Sequence, residues 1–194
     1  DILINFFNAN TENTLGWNLN TFNIASWVGV SISKNRVTNL VLIDKNIAQI
    51  TPGIGSLAQL TELNIQNLIS PAKITALPAE LGNLSNLFSL VLNNNRIRVL
   101  PNEIGNLLNL ERLILSDNRV NALPTQIENL KNLKWVLLNN NRLNSLPSEI
   151  GNLPMLTELF LNNNLLLQLP ENIGNLQNLK TLRLNGNNLT SLPN

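Results

Sequence analysis

The chain has 194 residues, a formal net charge of +1, and no cysteine, histidine or tyrosine. That length can bury a sizeable core in one domain, and the near-neutral charge carries no signature of a nucleic-acid or membrane partner. Without thiol or imidazole there can be no zinc site built on those ligands, no cysteine nucleophile and no histidine-dependent general base.

The first segment in chain order, DILINFFNAN, holds an apolar cluster (Ile2, Leu3, Ile4, Phe6, Phe7), and Trp17 and Trp27 follow it. Residues 1–36 keep no period and read as an N-terminal cap, with the two tryptophans in its core. No apolar run approaches the ~20 residues of a membrane helix, and no signal peptide is visible. The lack of cysteine leaves the compartment open, because a chain of this size needs no disulfides if its core is large enough.

From Val37 onward a pattern sets in. Val37, Leu40 and Leu42 open a first copy, with Ile47, Ile50, Ile54 and Leu57 behind them; Leu60, Leu63 and Ile65 open a second. Lys45 stands where later copies place an asparagine, so that link is either missing or taken by Asn46. The second copy runs 27 residues from Leu60 to Leu87, and its four extra residues fall within 66–73, around Ser70-Pro71-Ala72. Such an insertion maps to a loop on one edge of a stack, either a ligand-contacting bulge or tolerated surface variation.

From Leu87 the period is 23 residues without a slip, with copies starting at Leu110, Leu133 and Leu156 and an incomplete one at Leu179. A fixed period of this length predicts a solenoid, in which no unit buries its apolar face alone and stacking supplies the core. In the copy from Leu133, the alternation around Val136 and Leu138 predicts a short strand with one face buried. Pro147 blocks its continuation, and Ile150-Gly151-Asn152-Leu153 supplies the convex side as 3₁₀ turns or extended chain. Strands of successive coils form a parallel concave sheet. Asn95, Asn118, Asn141, Asn164 and Asn187 recur three residues after the last strand leucine and should form a buried ladder to the backbone of neighbouring coils. The fifth copy breaks off at Asn194. Open solenoid ends expose core, so a C-terminal continuation is expected.

Read down the stack, one concave row is Val41, Asn64, Val91, Ile114, Leu137, Phe160, Arg183, and its neighbour is Asn39, Glu62, Ser89, Arg112, Trp135, Glu158, Thr181. Four consecutive apolar residues with an indole beside them predict a contact surface. Val91, Ile114, Trp135, Leu137 and Phe160 are its candidate anchors, and Arg112, Glu158 and Arg183 its orienting charges. The competing reading is that β-propensity fills a half-exposed strand with such residues. Two further rows are almost wholly polar, from Ile43 to Asn185 and from Asp44 through Asn67, Asn94, Asp117, Asn140 and Asn163 to Gly186. They form either a field of amides for a glycan or extended peptide, or a neutral surface. Arg96, Arg119 and Arg142 follow the ladder asparagine and make a basic edge, which either grips an acidic partner or deters sheet association. Leu165 breaks that row, and Leu165 and Leu167 suggest a lateral contact. The sequons at Asn83 and Asn188 matter only in a eukaryotic secretory pathway.

The copies ending leucine-proline-x-x-isoleucine-glycine-asparagine-leucine resemble the leucine-rich repeat proteins over about residues 37–194. The resemblance implies an α/β solenoid, a right-handed horseshoe of seven repeats continuous with the cap, that binds partners on its concave face. Trp27-Val28-Gly29-Val30, with Ala25 and Ile32 where that family places a cysteine pair, resembles the N-terminal cap of plant receptor-type members. It implies a secreted or cell-surface setting, with the staple replaced by apolar packing. The expected function is non-catalytic protein or peptide recognition by a monomer, without cofactor or metal. The alternatives are a sensing or scaffolding segment of a larger receptor, GTPase, kinase or effector, or a glycan-binding surface. Glu103 and Glu149 share a convex position but lie two coils apart, roughly 10 Å, so no paired-carboxylate chemistry is expected.

Overall fold

The computed structural model describes residues 2–20 and 23–193; Asp1, Thr21, Phe22 and Asn194 lie outside that set. One open sheet of eight strands runs through the described residues in sequence order. β1 (Val30–Ser33) pairs antiparallel with β2 (Arg36–Ile43). Then come β3 (Glu62–Gln66), β4 (Ser89–Val91), β5 (Arg112–Ile114), β6 (Trp135–Leu137), β7 (Glu158–Phe160) and β8 (Thr181–Arg183), each parallel to its predecessor. Strands are three residues long from β4 on, because only the central residue and its flanks alternate before the chain must turn.

Each coil returns along the convex side through a five-residue 3₁₀ turn, such as Asn102–Asn106 or Ser148–Asn152. A proline sits immediately before these turns from Pro78 onward, and its ring-fixed φ (Pro101 at −66°) sets the extended entry. The strand leucines and the turn isoleucines meet between the two walls. Leu90, Leu92, Leu113, Leu115, Val136 and Leu138 are fully buried, as are Ile104, Ile127 and Ile150. Each such side chain contributes about 1.5–3 kcal/mol by leaving water, which is what joins one coil to the next.

The asparagine ladder ties the coils together by hydrogen bonds. Asn118 Nδ2 donates to the carbonyls of Leu92 in the preceding coil (2.9 Å) and of Leu115 in its own (3.0 Å), and its Oδ1 accepts from Ile97 N (3.0 Å). Asn95, Asn141, Asn164 and Asn187 repeat this arrangement. One further member was assigned elsewhere from sequence. Asn67, read as part of a polar surface row, is fully buried; it donates to the Ile47 carbonyl (2.8 Å) and to Asn95 Oδ1 (2.8 Å). The insertion shifts the ladder residue of that coil one place toward the N-terminus, so spacing from Ile65 points to the wrong side chain. Asn46 bridges rather than replaces the missing rung: it donates to the Glu12 carbonyl and accepts from Ser70 Oγ and Ala72 N.

The cap covers the first coil. α1 (Ile2–Ala9) places Leu3 and Phe6 in the common core, and Trp17 and Trp27 stack 4.9 Å apart, both buried. Asn10, buried at the end of α1, donates to the carbonyls of Phe6 and Gln49 and accepts from Ala48 N and Gln49 N. Gly29 lets β1 approach the first coil. Its φ is +80°, and a Cβ there would lie 2.2 Å from the Val41 carbonyl oxygen.

Candidate binding surface on the concave face

The parallel register aligns the two rows read from sequence. Ser89, Arg112, Trp135, Glu158 and Thr181 are partners across β4–β8, as are Val91, Ile114, Leu137, Phe160 and Arg183. Because the central residue of each strand points into the core, both flanking rows face the concave side.

Accessibility divides the apolar row. Val91 and Ile114, expected to be exposed, are only 6% and 8% accessible. Each is flanked in register by side chains of the adjacent strands, Val91 by Asn64 and Ile114, and Ile114 by Val91 and Leu137. Trp135, Leu137, Glu158 and Phe160 are half-buried, and Arg112 and Arg183 are exposed. Arg112, Ile114, Trp135, Leu137 and Glu158 line an open depression of about 410 Å³, closed on one side by Phe88. Val91 is not part of its wall. Phe160 lies one strand beyond, with the Arg183 guanidinium 4.4 Å above its ring centroid, a cation–π pair.

Phe88 escaped the sequence reading. It is 43% exposed and stands in a position that is otherwise polar down the stack: Thr38, Thr61, Glu111, Lys134, Thr157, Lys180. That contrast was available in the sequence, but the position falls just before the strand and outside the two rows compared. Beside it Lys134 pairs with Glu111 at 2.7 Å, the one ion pair among the described residues. The depression therefore carries an indole, a phenyl ring and two aliphatic side chains. Arg112 and Glu158 stand on the strands to either side of Trp135, each about 4.8 Å away along the stack.

The polar rows have a backbone explanation. Asn94, Asp117, Asn140 and Asn163 hold φ between 54° and 59°, Asp44 holds 53°, and Gly186 stands at 69° in the same row. The chain turns through the left-handed region there, which asparagine, aspartate and glycine tolerate best. Neighbouring side chains then bond to one another, Asn140 Nδ2 donating to the Asp117 carboxylate and Asn163 Nδ2 to Asn140 Oδ1 at 2.7 Å each. In the other row Asn139 and Asn162 accept from the backbone N–H of the next coil at 3.0 Å. Much of the donor and acceptor capacity expected to meet a glycan is spent within the protein.

Two family profiles match the sequence: "Leucine-rich repeat region" over residues 79–165 and "Leucine Rich Repeat" over residues 178–194. No curated protein matches it. Among solved structures, a leucine-rich repeat protein of Leptospira interrogans is 38% identical with a TM-score of 0.55, over 75% of this chain and 42% of that one. The plant peptide hormone receptor RGFR1, in complex with RGF2, is 29% identical with a TM-score of 0.71, over 84% of this chain and 30% of that one. PEPR1 in its PEPR1–AtPEP1 structure is 25% identical with a TM-score of 0.80, over 97% of this chain and 28% of that one. The chain thus spans less than half the length of each. Profile and backbone agree, and the chain belongs to the leucine-rich repeat proteins.

Proposed function

We propose that the chain is a non-catalytic module that captures a protein or peptide segment on its concave face, centred on Trp135. The observation that carries this reading is the depression itself, where a half-buried indole, Phe88, Ile114 and Leu137 surround an open space of about 410 Å³ and opposite charges flank it. An apolar residue of the ligand enters against Trp135, removing it and the ring from water. Arg112 and Glu158 then pair with ligand groups of opposite sign, which fixes the direction in which the segment lies. Tryptophan and arginine are the residues that most often dominate such contacts. The plant peptide hormone receptor RGFR1, solved in complex with RGF2, supports peptide capture by this fold.

The test selects binders from a phage-displayed random-peptide library and measures the enriched peptides in solution. Truncating both rings, Trp135→Ala with Phe160→Ala, should weaken binding at least tenfold, equivalent to about 1.4 kcal/mol. Trp17 and Trp27 are buried in the cap, so ligand-dependent tryptophan fluorescence should also vanish with Trp135. Unchanged affinity in the double variant sinks the assignment, and a glycan array that enriches sugars while no peptide is selected replaces it with carbohydrate recognition.

A further inference from the structure

Phe88 borders two cavities. It closes the concave depression, and it also lines a polar groove of about 570 Å³ together with Thr38, Thr61, Asn86, Asn109, Glu111 and Asn132. Thr61, Phe88 and Glu111 each stand immediately before a strand, β3, β4 and β5 in turn, so the groove runs past the N-terminal ends of the sheet. Backbone bonds hold these three residues side by side: Phe88 N donates to the Thr61 carbonyl (2.8 Å) and Glu111 N to the Phe88 carbonyl (2.9 Å). An exposed phenyl ring and a carboxylate are thereby set one coil apart, about 4.8 Å along the stack.

The polar groups of the groove are fixed through their hydrogens. Asn86, Asn109 and Asn132 each donate from Nδ2 to a carbonyl of the coil before, those of Ala58, Ser85 and Leu108, at 2.8–2.9 Å. The Thr61 hydroxyl donates to the Thr38 carbonyl at 3.0 Å. These bonds take hydrogens and leave the amide and hydroxyl oxygens as acceptors. Glu111 is the charged residue of the lining, and its ion pair uses Oε2 alone, with Lys134 standing outside the groove. The pair is open to water, its side chains 32% and 23% exposed, so a second cation can share the carboxylate. A phenyl face attracts a cation, and a guanidinium needs several acceptors at once. An anion entering here meets Glu111, and an apolar side chain strips water from the amides without replacing it.

We propose that this groove receives a basic side chain, arginine in preference to lysine, from the same segment whose apolar residue enters against Trp135, with Phe88 standing between the two. The inference rests on the concave reading above and adds the second feature by which a ligand is chosen. Side chains two residues apart on an extended segment share one face at a spacing of about 6.6 Å, which sets the apolar residue and the arginine on opposite sides of one ring. The guanidinium lies against Phe88 and bonds Glu111 and the asparagine oxygens. Its planar fork reaches several acceptors at once, where an ammonium acts as a point charge.

The probes are three end-blocked heptapeptides, serine-serine-leucine-serine-X-serine-serine, in which X is arginine, glutamine or glutamate. Titrations are followed by heteronuclear NMR at the Trp135 indole and the Glu111 amide. The arginine peptide should bind about fivefold more tightly than the glutamine peptide and about tenfold more tightly than the glutamate peptide. That margin should shrink as ionic strength rises from about 50 to 300 mM. Glu111→Gln should erase it, and Lys134→Gln should widen it about threefold by leaving the carboxylate to the ligand. Phe88→Leu should narrow it while the glutamine peptide binds as before, since leucine keeps the apolar wall and lacks the ring face. The groove assignment is overturned if the three peptides bind alike, or if the arginine margin survives Glu111→Gln; in both cases shifts at the Trp135 indole leave the concave reading standing. If no peptide moves that indole, the concave reading fails and this inference fails with it.

Discussion

At the scale of single residues, asparagine does two different jobs within two adjacent positions. The rung is an amide that bonds backbone on both sides, and the residue before it is a backbone conformer. Asn118→Ala should therefore strand the Ile97 N–H and the Leu92 and Leu115 carbonyls, costing about 2–3 kcal/mol, read as a lower urea midpoint. Asn140→Gly, one position before a rung, should change stability by only a few tenths of a kcal/mol, because glycine adopts its φ of 54° freely. Asn140→Val at the same place should cost about 1–2 kcal/mol, since a β-branched residue resists the left-handed region. The sequence revealed the rungs through their spacing, but the amides beside them looked like surface chemistry because side-chain type carries no record of φ. The Asn67 rung is hidden for a related reason: it stands two rather than three residues after Ile65, and only hydrogen bonds identify it. On the concave face Trp135 was legible as an outlier in its row, whereas the burial of Val91 and Ile114 depends on how neighbouring side chains cover them, which a list of strand positions lacks.

Elements in a stack feel mainly their neighbours. Removing a ring from the cap should act locally. Trp27→Ala takes away one half of the Trp17–Trp27 stack, a loss of about 3–5 kcal/mol for a buried aromatic. Hydrogen–deuterium exchange should rise across α1, β1 and β2 and stay near the parent's level across β6–β8; uniform acceleration would mean the stack unfolds as one unit. The cap's apolar cluster was visible in sequence without its helix, because eight residues rich in Ile and Phe suit a strand as well as a helix until packing on the first coil decides. The convex turns were easier to foresee. Proline and an apolar residue three places later recur at fixed offsets, which leaves a short 3₁₀ turn or extended chain, and the structure takes the 3₁₀ turn even where Glu128 replaces the glycine.

For the molecule as a whole, the absence of histidine has a simple consequence. No side chain with an ordinary pKa changes charge between pH 6 and 8, so the melting temperature should vary by no more than about 2 °C across that range. A steeper dependence would point to a strongly displaced group on the surface. The insertion at residues 66–73 matters at this scale too. Four extra residues leave the strand register between β3 and β4 intact, Leu63 against Leu90 and Asn64 against Val91, because the rung Asn67 reaches Asn95 before the chain wanders. The extra loop is then fastened from the coil before it, Asp44 accepting from Ile69 N and Asn46 from Ala72 N. Register is settled upstream of the place where length varies. A chain built this way can accept new sequence at that corner, a grafted epitope or a longer recognition loop, while every strand on either side keeps its partner.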